Sequence, residues 1–244
     1  LPRRNYIIRR ASNLSKESHI IAANVDQAFL VVSLFLPSTN CEFIDRFLVT
    51  AEAYRIPVTL LLNKCDLYAT DALQDAQTEF LKIYRSAGYE VIELSATQQT
   101  GIDAFKKMLP GKTSLLSGNS GVGKSTLIRA IDPSLDIRIG AVSASSSKGK
   151  HTTTFSEMYP LAGGGYLIDT PGIKGFGLID IENDEICRYF PDLFRYAPRC
   201  GYYNCTHTHE PACAVREALR AGEIGLSRYE SYLKLLDDDQ KYRK

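Results

Sequence analysis

This chain of 244 residues lacks an excess of charge of either sign, a long apolar run and a leader pattern. Its 29 basic residues meet 28 acidic ones for a formal charge of +1, so bulk charge does not attract polyanions and any nucleic-acid surface must be local. Arg3, Arg4, Arg9 and Arg10 around Tyr6-Ile7-Ile8 are one candidate patch, with a solvated strand edge as the equal alternative. No stretch approaches the roughly 18 apolar residues of a spanning helix, and the start has no succession of basic, apolar and small-residue regions like that of a signal peptide. The expectation is an intracellular chain with no membrane partner. Position 1 is Leu, not Met, and a missing N-terminal segment is expected. A disulfide framework is lacking too: of six cysteines, three crowd into 200–213, while Cys41, Cys65 and Cys187 are scattered. Cys41 and Cys187 read as small packing residues.

What is present fits an ordinary globular protein, 44% hydrophobic and 23% charged, long enough for one sizeable α/β domain and a smaller unit. Continuous apolar runs at 28–35, 57–62, 90–94, 114–116 and 166–168 have the length and character of buried parallel strands. Helical spacing intervenes at Ile44, Phe47, Leu48 and Ala51, at Phe80, Ile83, Tyr84 and Ala87, and through Leu127, Ile128 and Ala130 towards Asp132-Pro133. Alternating strand and helix predicts a mostly parallel sheet. Gly163-Gly164-Gly165 predicts a tight reversal before the strand at 166. Beyond Gly177 the strand pattern stops, which places a boundary near residue 181, and the tail from Ala214 to Lys244 reads as helical with a solvated end.

Four motifs carry chemistry, each after a predicted strand. Gly118-Asn119-Ser120-Gly121-Val122-Gly123-Lys124-Ser125, followed by Thr126, fits a phosphate loop between strand and helix. Its backbone N–H groups curl round phosphates, Lys124 reaches the β- and γ-phosphates, and Ser125 offers a Mg²⁺ ligand. Asn63-Lys64-Cys65-Asp66 reads guanine, because a carboxylate accepts from the N1 and N2 hydrogens that adenine does not present together. Ser95-Ala96-Thr97 matches the loop whose backbone N–H meets guanine O6. Asp169-Thr170-Pro171-Gly172 supplies a carboxylate on the Mg²⁺ side, acting through water, and a γ-phosphate-sensing glycine. The base-reading motif precedes the phosphate loop, the reverse of the usual order, so the site is cyclically rearranged.

Many GTPases place a glutamine just after the last of these motifs, and here that position is Ile173, which cannot hold a water. His151 is the internal candidate for that role, with an isolated surface histidine as the even alternative. The small, polar stretch 143–154 reads as a switch loop, in which one of Thr152, Thr153 and Thr154 completes Mg²⁺ coordination, Thr153 being favoured. Near the end, Cys200, Cys205, His207 and Cys213 form the three-thiolate, one-imidazole set of a closed structural Zn²⁺ site. His209 is a rival ligand and an intracellular disulfide the rival chemistry.

Together with Ile21-Ala22-Ala23-Asn24-Val25-Asp26 and Gly149-Lys150-His151-Thr152-Thr153-Thr154, these residues resemble the circularly permuted YjeQ/RsgA family of ribosome small-subunit-dependent GTPases, over nearly the whole chain. The resemblance implies a cytoplasmic GTPase, monomeric when free, that binds the small ribosomal subunit and its rRNA late in maturation and is stimulated by it. It also implies an α/β fold in three parts: 1–25 as the remnant of an N-terminal OB-type β-barrel, 26–181 as a circularly permuted P-loop GTPase domain, and 182–244 as a small helical zinc-binding domain. Because Gly172 leads through residues 173–177 into the last part, the nucleotide state is expected to reposition it. A nucleotide-binding module, ATPase or kinase without a ribosomal role is the alternative.

Overall fold

The computed structural model describes residues 2–10, 18–135, 156–170 and 181–242, and the structural statements below concern these. His151, Thr152, Thr153, Thr154, Gly172 and the rest of 143–154 and 171–177 lie outside them.

Strands β1 (Tyr6–Arg10) and β2 (Ser18–Ala23) pair antiparallel as a sheet of their own. One arginine of the basic N-terminal stretch is already engaged, since Arg4 pairs with Asp26 at 2.9 Å. The larger sheet contains β3 (Gln27–Val32), β4 (Val58–Leu62), β5 (Glu90–Glu93), β6 (Thr113–Gly118), β7 (Glu157–Pro160) and β8 (Tyr166–Asp169), in the spatial order β5-β4-β3-β6-β8-β7. Every pairing is parallel except β7 with β8. The five apolar runs coincide with β3, β4, β5, β6 and β8. Strand β7 has no apolar run, and Glu157, Met158 and Pro160 are exposed because it forms the sheet's outer edge. A proline without an N–H is tolerated there. The three glycines make the turn between β7 and β8.

Helices α1 (Cys41–Ala53), α2 (Asp71–Ser86), α3 (Ile102–Lys106) and α4 (Lys124–Ile131) cover the sheet. Asn40 caps α1 by accepting from the Glu42 N–H at 2.9 Å, the kind of contact that stabilises a helix by about 1 kcal/mol. Successive strand residues point to opposite faces, so β3 divides its buried residues between two cores. Ala28, Leu30 and Val32 join Ile44, Phe47, Leu48, Phe80 and Tyr84 on the α1/α2 face. Phe29 and Val31 join Ile102, Phe105, Leu127 and Ile128 on the α3/α4 face.

The C-terminal part contains α5 (Pro191–Phe194), α6 (Ala214–Arg220) and α7 (Leu226–Tyr242). The helical tail is therefore two helices, interrupted where Gly222 adopts φ +73°, a left-handed conformation that favours glycine. A third core, with Ile186, Phe190, Leu193, Val215, Ile224 and Tyr232, also takes in Val49 from α1. Beside it, fully buried Arg228 donates to both Asp192 oxygens, at 3.1 and 2.8 Å, and to Asp45 Oδ1 of α1 at 2.7 Å. The C-terminal part is thus seated on α1 at this point.

Candidate nucleotide site and metal centre

The register of the sheet explains how motifs in permuted order reach one place. Leu62 lies opposite Val32, Val31 opposite Gly118, and Leu116 opposite Asp169. The parallel strands β4, β3, β6 and β8 therefore end together, at the carboxyl edge where open sheets bind ligands. Chain order is irrelevant to such an edge, since each loop depends only on its own strand.

Asn63, 1% exposed, ties the loops together. Its Nδ2 donates to the Val122 carbonyl at 2.8 Å, and its Oδ1 accepts from the Ala96 N–H at 3.1 Å. One side chain thereby joins the phosphate loop to the Ser95-Ala96-Thr97 loop. Gly123, at φ +101°, has to be glycine, because a Cβ would stand 2.4 Å from Asn63 Nδ2. Lys64 adopts φ 67°, a strained backbone for a residue with a Cβ, and its Nζ donates to the Gly121 carbonyl at 2.8 Å and to that of Leu36. The loop after β4 is thus bonded to the loop after β6 at both Gly121 and Val122.

Two carboxylates in the site are incompletely satisfied. Asp66 Oδ2 accepts from Thr97 Oγ1 at 3.4 Å, while its Oδ1 is buried without a partner. Asp169 Oδ1 is likewise buried and unpartnered, and burial, opposed by the Lys124 ammonium, pushes its carboxyl up to about 6. Burial also lowers the Lys124 ammonium, with Asp169 acting the other way. Lys124 Nζ donates to the carbonyls of Gly118 and Asn119, at 2.6 and 3.1 Å. Buried polar atoms are normally bonded, so these orphaned acceptors and this desolvated cation fit a ligand that brings donors to Asp66, anionic oxygens to Lys124 and a cation to Asp169. Ser125 and Thr126 occupy the first turn of α4, where free backbone N–H groups favour phosphate.

Tyr68 also belongs to this site, unannounced by any motif. Its hydroxyl donates to the Asn63 carbonyl at 2.7 Å and accepts from the Leu34 N–H at 2.9 Å. A lone tyrosine two residues past Asp66 carries no sequence signal, because the Leu34 contact spans 34 residues.

The structure brings together Cys200, Cys205, His207 and Cys213, whose ligand atoms all lie within 4.8 Å of one another. Cys200 Sγ and Cys213 Sγ are 4.0 Å apart, and each is 3.5 Å from His207 Nδ1. Four ligands at ordinary bond lengths round a tetrahedral ion have edges of about 3.5–3.8 Å, so the set fits one metal ion. His209 is not in the group; its Nδ1 lies 2.8 Å from Thr208 Oγ1. The loop is held from two sides. Tyr229 Oη donates to the His207 carbonyl at 2.6 Å, and the Glu210 carboxylate accepts from the N–H groups of Thr206 and Thr208 at 2.7 and 3.1 Å.

Residues 1–179 match the family described as RsgA GTPase. The "Small ribosomal subunit biogenesis GTPase RsgA" of Phocaeicola vulgatus is 55% identical over 243 residues, 99% of this chain and 78% of the relative. Its namesake from Porphyromonas gingivalis is 54% identical over 248 residues, again covering 99% of this chain and 78% of the relative. Among solved structures, the crystal structure of YjeQ from Thermotoga maritima superposes with a TM-score of 0.78 at 37% identity, covering 98% of this chain and 76% of that one. YloQ, described as a circularly permuted GTPase, gives 0.74 at 31% identity, with 98% and 80% covered.

Proposed function

Because this chain belongs to the RsgA GTPase family, we propose that it hydrolyses GTP to GDP and phosphate on the small ribosomal subunit, in the cytoplasm and late in the subunit's maturation, with the subunit and its rRNA as activating partner. The observation that carries this reading is the half-satisfied carboxylate of Asp66, its Oδ1 buried without a partner, in a loop fastened through Asn63 and Lys64 to Val122 and Gly121.

In this reading Asn63, Lys64, Cys65, Asp66, Ser95 and Ala96 hold guanine, and Gly118 to Thr126 cradle the phosphates. Bound Mg²⁺ would neutralise charge on the β- and γ-phosphates, held by Ser125, by Asp169 through water, and by Thr153. Gly172 senses the γ-phosphate and His151 orients the attacking water. Ile173 leaves the site without the usual water-holding glutamine, which accounts for dependence on an outside partner. Residues 26–181 act as the GTPase domain, 182–244 as the zinc-bearing domain and 1–25 as the remnant of a barrel; the third core, whose buried residues apart from Val49 all come from beyond residue 181, supports the second boundary.

Turnover of GTP and ATP, with and without purified small subunits, tests the proposal. GTP hydrolysis is expected to rise with subunits towards the roughly 10³–10⁵-fold that trans-acting partners give other GTPases. ATP competing as well as GTP, or no response to subunits, would reject it.

We assign Zn²⁺ to Cys200, Cys205, His207 and Cys213 as a structural ion, since four protein ligands leave no open position for substrate. Glu210 orients that loop without touching the ion. Glu210→Ala is expected to lower stability by about 1 kcal/mol and zinc affinity by about tenfold. Competition with a colorimetric chelator, alongside thermal melting, reads both. Unchanged zinc retention would show that Glu210 does not orient the loop.

A further inference from the structure

We infer that Tyr68 is a positioning residue for guanine selection, acting through the base-reading loop whose two ends its hydroxyl clasps. The inference rests on the guanine reading of Asp66 given above.

A phenol has one hydrogen and accepts through its oxygen. The hydrogen of Tyr68, a residue 4% exposed, is given to the Asn63 carbonyl at 2.7 Å. Asn63 and Tyr68 bound the five-residue step that contains Lys64 and Asp66, so this bond closes the loop on itself. The same oxygen accepts from the Leu34 N–H at 2.9 Å, which anchors the closed loop to the segment following β3. That segment is itself knit together. Ser33 Oγ donates to the Phe35 carbonyl at 2.7 Å, and the Thr39 N–H donates to the Ser33 carbonyl at 2.7 Å. Its Leu36 carbonyl receives Lys64 Nζ. One hydroxyl therefore ties together the start of the base-reading loop, its end, and the neighbouring segment that steers the lysine.

A packing tyrosine would need none of this, since its ring already belongs to the α1/α2 core. Asp66 is otherwise held lightly, by one 3.4 Å contact from Thr97. Lys64 between them has a backbone, at φ 67°, that must be held in place. The clasp supplies that restraint, so its loss should loosen the aim of Asp66 before it disturbs the core.

Tyr68→Phe keeps the ring and removes the hydroxyl, leaving the Asn63 carbonyl and the Leu34 N–H without their partner. The full chain and its variant are titrated with GDP, with IDP, whose base lacks the N2 amino group, and with ADP, and their melting is followed. GDP affinity is expected to fall about tenfold, with a smaller loss for IDP, so that the preference for GDP over IDP contracts. An unchanged GDP-to-IDP ratio overturns the inference whether or not melting shifts, because a purely structural tyrosine weakens both nucleotides alike. If the parent chain binds ADP as well as GDP, the guanine reading itself has failed, a result distinct from a variant that behaves like a guanine-selective parent.

Discussion

Replacing Asp66 with Asn is expected to exchange the nucleotide: GDP affinity falls by at least about a hundredfold, and xanthosine diphosphate becomes the better ligand. Guanine offers hydrogens at N1 and N2, and a carboxylate accepts both. Xanthine has a carbonyl at C2, which suits an amide that donates with one atom and accepts with the other. The environment of Asp66 makes the effect large, because its Oδ1 is buried with no protein partner and Oδ2 has a single long contact from Thr97. A buried N–H donor of guanine that loses its acceptor gives up the bond and still bears the desolvation cost. Titration of Asp66→Asn with both nucleotides reads the exchange directly. A variant that still prefers GDP would mean that some other group reads the base.

Removing Arg228 should have the largest effect on stability, although it lies away from the nucleotide. Arg228→Met leaves Asp45 and Asp192 buried without the cation that three hydrogen bonds now bring to them. Breaking a buried pair from one side costs about 3–5 kcal/mol, and chemical denaturation at pH 7 would measure it. The loss should shrink in acid. Burial, opposed by Arg228, raises the Asp45 carboxyl; a carboxyl raised in the folded state favours folding at low pH and gives up that advantage as pH rises through its folded value. Neutralising both partners in the triple variant Arg228→Met, Asp45→Asn, Asp192→Asn should recover much of the deficit. A single variant within about 1 kcal/mol of the parent would show that the triad is not holding the two parts together.

That triad also bears on the expected movement of the C-terminal part. Arg228 on α7 grips Asp45 on α1, and Val49 of α1 belongs to the third core. A nucleotide-driven shift of the C-terminal part must therefore carry α1 with it or break a buried ion pair. We favour the first, because the second forfeits several kcal/mol.

Much of the site was legible because its chemistry is local. A phosphate loop needs its glycines, lysine and serine in one short stretch, and a base-reading loop needs its aspartate at a set distance from a strand end. Ser95-Ala96, Asp169 and the Cys/His cluster were readable for the same reason. The apolar runs disclosed the buried strands, since a strand covered on both faces must be apolar throughout. The edge strand β7 was not legible: exposed Glu157 and Met158 have no burial pattern to betray them. Arg228 reads as an ordinary surface cation until the fold brings Asp45 to it across 183 residues, and Tyr68 as an ordinary core aromatic until Leu34 arrives.

Residue order along the chain was enough to point to a guanine nucleotide and to a Cys/His set that could hold a metal ion, because those ligand sets are short words written within single loops. Assembly in three dimensions was needed to say what those loops lean on: the Asn63 bridge to Val122, the Tyr68 clasp and the Arg228 grip. Each joins residues whose separation is set by strand register and helix docking, and a hydrogen bond tolerates only tenths of an ångström, far finer than any periodicity in the chain can convey.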